Sequence, residues 1–118
     1  MPRYVILEHD WPTLHWDLFL EAGTVLRAWR LLAEPDSGAV VPAEANGDHR
    51  LDYLTYEGPV SGGRGTVSRW DAGTFTWIDG ENGRVVMELQ GGKLAGRVSL
   101  EQQEAGNWEM RCSPQPEE

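Results

Sequence analysis

The chain holds a single cysteine and a single lysine. It also has no apolar run approaching the roughly 18 residues a helix needs to cross a bilayer. With only Cys112, an intramolecular disulfide framework and a cysteine-based zinc site are both excluded. The N-terminal run Met1–His9 becomes charged too early for a secretory signal, so a soluble, cytoplasmic protein with no membrane partner is expected. Positive charge is scarce: 10 Lys+Arg stand against 19 Asp+Glu, a net −9. Such a chain does not coat nucleic acid by bulk charge, because that mode of binding rests on neutralising many phosphates. A local grip on one phosphate stays open. Nine of the ten basic residues are arginine, whose planar fork suits phosphate or carboxylate better than a point charge does.

What is present reads as β-structure. His15-Trp16-Asp17-Leu18-Phe19-Leu20-Glu21 alternates, with Trp16, Leu18 and Leu20 on one side and His15, Asp17 and Glu21 on the other. Comparable runs lie at Tyr4–His9, Thr24–Leu31, Thr66–Trp70, Thr74–Asp79, Arg84–Gln90, Gly96–Glu101 and Asn107–Arg111. Turn signals separate them: Glu21-Ala22-Gly23, Asp71-Ala72-Gly73, Asn82-Gly83, Gly91-Gly92 and Ala105-Gly106-Asn107. Residues Glu34–Asp48 read as a loop with a short strand around Val41–Ala45, and His49–Tyr56 as a short helix. The expected fold is mainly β, a small antiparallel β-barrel of about seven or eight strands with one short helix. One domain over residues 1–112 and a disordered acidic tail at 113–118 complete the expectation. Six tryptophans are many for 118 residues, and they either fill the core or form an interface.

Two of the three histidines lie close together in His9-Asp10-Trp11-Pro12-Thr13-Leu14-His15-Trp16-Asp17. A turn at Trp11-Pro12-Thr13 lets His9 end one strand and face His15 at the start of the next. The period of two then sets Asp17 on the same face as His15. Two imidazoles and a carboxylate converging at a barrel mouth make a site for a divalent ion with open positions. Spacing alone leaves a metal site and ordinary core or surface histidines equally open. His15, Asp17 and His49 also formally fit the facial triad of an iron oxygenase, although the chain is short for enclosing a co-substrate and His9 is then unexplained.

The motifs carry a resemblance. His9-Asp10-(four residues)-His15-Trp16-Asp17-Leu18-Phe19-Leu20-Glu21 resembles the His-Asp-x4-His-Tyr-Asp-x-Arg-Leu-Glu motif of the 3′-phosphoesterase domain of bacterial DNA ligase D. Val25-Leu26-Arg27-Ala28-Trp29 is similar to that family's Val-Leu-Lys-Ser-Trp, and Asp48–Gly58 to its Asp-His-Pro-Leu-Asp-Tyr-x-x-Phe-Glu-Gly. Gly65–Thr74 follows its glycine-rich entry and Trp-Asp-x-Gly-Thr run, and Gly92–Arg97 its Gly-x-Lys-Leu-x-Gly ending. The likeness runs in order from residue 4 to about 101, marking a divergent, stand-alone member.

The resemblance implies a small barrel that uses manganese to trim damaged 3′ ends in DNA repair. Its members remove a 3′-terminal nucleoside and then the phosphate left behind. It implies His9, His15 and Asp17 as metal ligands, His49 and Tyr53 at the phosphate, and DNA or DNA/RNA 3′ ends as partners, with other repair proteins beside them. The departures are specific. Phe19 stands where the family has an arginine, and Ala33 falls near its lysine. Arg30 and Arg64 are the candidates for a compensating cation, and Glu21 is either a solvated strand end or a neighbour of the site. The alternative reading is a catalytically weakened or inactive relative serving as a metal- or DNA-end-binding accessory module.

Overall fold

The computed structural model describes residues 2–36 and 40–114. Nine strands are present among them: β1 (Arg3–His9), β2 (His15–Ala22), β3 (Val25–Leu31), β4 (Val41–His49), β5 (Gly58–Pro59), β6 (Thr66–Asp79), β7 (Arg84–Gly91), β8 (Ala95–Gln102) and β9 (Trp108–Pro114). All pair antiparallel in the order β1-β2-β3-β4-β9-β8-β7-β6, and β1 also pairs with β6, which closes the barrel. Closure removes the free edges that an open sheet would offer to another chain. The two-residue strand β5 adds to the outer side of β6. The expected helix is a single 3-10 turn at Leu51–Leu54. No helix among the described residues is long and apolar enough to cross a membrane. Of the expected tail, Ser113 and Pro114 continue β9 against β8, and 115–118 lie outside the described residues.

Two corrections concern strand boundaries. Asp71-Ala72-Gly73 is not a turn; it lies within β6, paired with Tyr4–Ile6 of β1, and β6 takes up β7 from Gly73 onward. The pairing with β1 slips by one residue at Trp70, a bulge of the kind that bends a barrel strand. The Asp71 side chain is buried and braces the neighbouring turn. It accepts hydrogen bonds from Gly92 N (3.0 Å), Lys93 N (2.9 Å), Leu94 N (3.0 Å) and the Tyr4 hydroxyl (2.8 Å). The other correction is β4, which extends well past Ala45. Asn46 and Gly47 bulge out between the pairs Trp29↔Ala45 and Arg27↔Asp48, with Gly47 at φ 70°. Proline, glycine and acidic residues hide this strand from propensity rules, whereas the sheet tolerates them at a bulge.

Two apolar clusters lie on opposite sides of the same strands. The barrel interior is filled by Tyr4, Ile6, Trp16, Leu18, Leu20, Trp29, Phe75 and Met87, among others. Trp70, Trp77 and Trp108 pack at its margins, so five of the six tryptophans serve the core. On the outside, Val5, Leu7, Phe19, Leu26, Ala28 and Val67 form a second cluster, capped by Leu54 and flanked by Leu51, Tyr53 and Val60. The segment from Arg50 to Gly65 is therefore a cover laid over the outer wall of β1, β2 and β3. That is why β2 is buried on both faces and not on one.

Candidate metal centre

The site stands on the outer wall under this cover and not at the barrel mouth. Along β1 and β2, Tyr4, Ile6, Trp16 and Leu18 point into the barrel, so Leu7, His9, His15, Asp17 and Phe19 must point out. The register sets His9 opposite His15, and Leu7 opposite Asp17. The ligand atoms of His9, His15 and Asp17 all lie within 4.8 Å of one another. This is the set the sequence singled out. The oxygenase set of His15, Asp17 and His49 is not the one assembled, because His9 completes the cluster.

Each imidazole is oriented by a backbone carbonyl. His15 Nδ1 is 3.0 Å from Thr13 O, and His9 Nε2 is 2.7 Å from Arg64 O. A carbonyl can only accept, so both of those nitrogens carry hydrogen. The remaining nitrogens, His15 Nε2 and His9 Nδ1, face Asp17 Oδ2 at 3.3 and 3.5 Å; in the neutral rings their lone pairs converge with the carboxylate on a place for a cation, and a protonated ring donates to the carboxylate instead. The two separations from Asp17 suit such an ion, since donors bonded at about 2.1 Å sit roughly 3–3.5 Å apart, and the third stays within 4.8 Å. Anchoring the distal ring nitrogen is also how metal-ligating histidines are commonly fixed. Asp17 Oδ1 is buried with no partner, so the carboxylate keeps a donor atom free. The residues fit a divalent cation.

The loop that supplies Arg64 O is held by a close approach at Gly65. A Cβ there would overlap Asp10 Oδ1 and Trp11 Cβ, and its φ is 76°. Asp10 Oδ1 accepts from Thr66 N at 2.8 Å, which locks the end of β1 to the start of β6. Asp10 thus positions the loop and is not one of the ligands.

A cavity of about 150 Å³ opens beside the three ligands. His9, Asp17, Phe19, Arg30, His49 and Tyr53 line it, together with Leu7, Trp11, Asn46, Val60, Arg64 and Val67. The β4 bulge places His49 opposite Leu26 on the outer wall. Tyr53 arrives from the 3-10 turn, with its ring centroid 5.8 Å from that of His49. They meet as a strand end and a turn, where the sequence suggested one helical face. Phe19 fills the space between them, edge-on to His49 at 5.2 Å and stacked on Tyr53 at 5.5 Å with planes 14° apart. Both candidate cations line the cavity, which sequence could not decide. Arg30 lies directly across from Asp17 on β3. Ala33 packs at the margin of the barrel interior and brings no charge.

Glu21 is elsewhere. It bonds Arg3 through the backbone N (2.8 Å) and the guanidinium (3.2 Å), contacts that hold its carboxyl below the usual range. The signal missed in sequence was Asn46, hidden in the bulge.

Known proteins resemble this chain over most of its length. The chain is 34% identical over 114 residues to the multifunctional non-homologous end joining DNA repair protein LigD of Mycobacterium tuberculosis, which covers 89% of this chain and 15% of that protein. It is 35% identical over 108 residues to the multifunctional non-homologous end joining protein LigD of Pseudomonas aeruginosa, covering 83% of this chain and 13% of that one. LigD of Mycolicibacterium smegmatis is 30% identical over 125 residues, with 90% and 16% covered. The chain thus spans less than one-fifth of the length of these relatives. Residues 7–102 match the DNA Ligase D 3′-phosphoesterase domain, and the chain belongs to that family.

Proposed function

We propose that this chain is a manganese-dependent phosphoesterase that trims DNA or DNA/RNA 3′ ends during repair, removing a 3′-ribonucleoside or a 3′-phosphate. The observation that carries the reading is one cavity in which an oriented His9–His15–Asp17 donor set faces His49 and Tyr53. In this reading His9 Nδ1, His15 Nε2 and one Asp17 oxygen hold the ion. A bound divalent cation supplies charge neutralisation at non-bridging phosphate oxygens and lowers the pKa of water. Manganese suits a mixed imidazole and carboxylate donor set, because this set is neither purely soft nor purely hard.

The remaining groups act by donation and shape. His49 Nδ1 is buried without a partner, so the ring has a nitrogen to offer a phosphate oxygen or a leaving alkoxide. The Tyr53 hydroxyl offers a second donor on the same side. Phe19 sets the angle of both rings through its stacking contacts. A net −9 chain repels a nucleic-acid strand at long range, so contacts to the 3′ end are local and short.

The test is phosphate release from a 3′-phosphorylated primer by the purified protein, with and without manganese. Release that needs manganese, and that His49→Ala removes, is the expected result. The second reading is a non-catalytic relative that keeps the metal and end-binding surface as an accessory module in repair. The apolar residues Phe19 and Ala33, where the family carries cations, favour it. Manganese binding with no phosphate release would leave this second reading alone.

A further inference from the structure

Among the described residues, five buried side-chain polar atoms have no hydrogen-bond partner, and three of them line the one cavity: Asp17 Oδ1, His49 Nδ1 and Arg30 Nε. An orphaned buried donor costs about 1–3 kcal/mol, so clustering such atoms at one place marks a ligand's position. The Asp17 oxygen is accounted for by a cation. Arg30 Nε is a donor in search of an acceptor, and His49 Nδ1, which donates whenever it carries hydrogen, lines the same cavity. The acceptor they suit is an oxyanion.

The two arginines of the cavity differ in how they are employed. Arg64 donates from Nε to Ser61 O at 2.7 Å and from Nη2 to Ser61 Oγ at 3.1 Å, so its side chain is tied to its own loop. Arg30 forms no hydrogen bond or ion pair among the described residues, although its register neighbours are the carboxylates Asp17 on β2 and Glu44 on β4. A guanidinium flanked by two carboxylates and bonded to neither has its donors free for something else. Meanwhile Phe19, one register step along β2, fills its place with an aromatic ring.

We infer that Arg30 is the phosphate-gripping cation of this chain, reaching from β3 across Asp17 to an oxyanion seated between the metal ligands and His49. The inference rests on the phosphoesterase reading for its ligand class and on the orphaned donors for its residue. Charge has moved one strand over: β2 supplies the aromatic floor and β3 the guanidinium. Arg30 neutralises the phosphate, and Arg64 shapes the loop.

The experiment measures binding of inorganic phosphate and of 3′-phosphorylated against 3′-hydroxyl oligonucleotide to the manganese-loaded protein. Arg30→Gln is expected to lose about ten- to a hundredfold in phosphate affinity, the range of a charge-assisted contact. Its manganese affinity and melting temperature should stay those of the parent. Arg30→Lys should recover part of the loss, and Arg84→Gln, at an exposed arginine outside the cavity that pairs with Asp79, should keep the parent's affinity. Parental phosphate affinity in Arg30→Gln, or no phosphate binding by the parent, overturns the inference. So does a loss of manganese in Arg30→Gln, which would make Arg30 a prop for the metal ligands. Phosphate held through Arg30 without primer hydrolysis would sink the enzymatic reading and leave this one standing. Hydrolysis undiminished by Arg30→Gln would do the reverse.

Discussion

Asp17 and Asp71 are both buried carboxylates in the same small barrel, and their surroundings are opposite. Asp71 accepts from three backbone N–H groups and the Tyr4 hydroxyl, so its charge is solvated by the protein. Asp17 meets only two imidazole nitrogens, at 3.5 and 3.3 Å on one oxygen, and its second oxygen has no partner. A carboxylate saturated by fixed donors braces a fold, whereas one left half unpaired beside two imidazoles suits a cation. Taking a charge out of water costs several kcal/mol unless something replaces the hydration. At Asp71 the chain itself replaces it. At Asp17 the chain leaves the task to a ligand.

That contrast can be broken most sharply by mutation. Asp71→Ala leaves four donors unpaired, two of them buried, and should cost about 3–5 kcal/mol of folding free energy. Asp17→Asn in the metal-free protein should cost less, about 1 kcal/mol, because it disturbs only the two long imidazole contacts at 3.3 and 3.5 Å. Denaturant titration of the two variants checks both. If Asp17→Asn is the more damaging, the division into brace and ligand fails.

The next effect is metal linkage. Manganese at a hundred times its dissociation constant should stabilise the parent by about 2.7 kcal/mol. His9→Ala and Asp17→Ala should lose this gain while keeping the fold, and Asp71 variants should keep it at their lower melting point. Thermal melts with and without manganese read the difference, and parental manganese affinity in both His9→Ala and Asp17→Ala would remove the site.

A smaller effect separates the braces by pH. Burial, and then the hydrogen bond to Asp71, push the Tyr4 phenol far above its ordinary value near 10. The unfolded chain therefore releases this proton above pH ~10 while the folded chain keeps it. Stability is full below that pH and falls above it by up to about 1.4 kcal/mol per pH unit. Tyr4→Phe should flatten this alkaline slope, which melts between pH 9 and 11 would show. The smallest expected change is Phe19→Leu, which gives up the stacking on Tyr53 for about 1 kcal/mol. Loss of phosphate affinity without loss of metal in that variant would confirm that the ring orients His49 and Tyr53.

Much of the site was legible because strands alternate. Once His15 and Asp17 are two apart on a strand and His9 ends the preceding one, a tight connection brings them together. Which side of the sheet they occupy was not legible. Alternation says that His15 and Asp17 oppose Trp16 and Leu18, but not that a second apolar layer covers them. The cover segment carries few strand or helix signals, and its burial depends on Leu54, Tyr53 and Val60 meeting β1 and β2 far away in sequence. The stretch Asp71-Ala72-Gly73 was misread for a related reason. Asp and Gly favour turns locally, yet here the aspartate caps a different turn and the glycine lets the backbone of Gln90 come close.

The sequence by itself determined an all-β domain, its acidic charge and the trio of metal-binding candidates. These follow from residue type and from short-range periodicity, which act within a few positions. Only the tertiary structure decided that the trio lies on the outer wall, that His49 reaches it through a bulge, and that Arg64 is tied to its own loop while Arg30 is bonded to nothing among the described residues. Those facts depend on strand register and on which hydrogen bonds are already made, quantities set by partners that are distant along the chain.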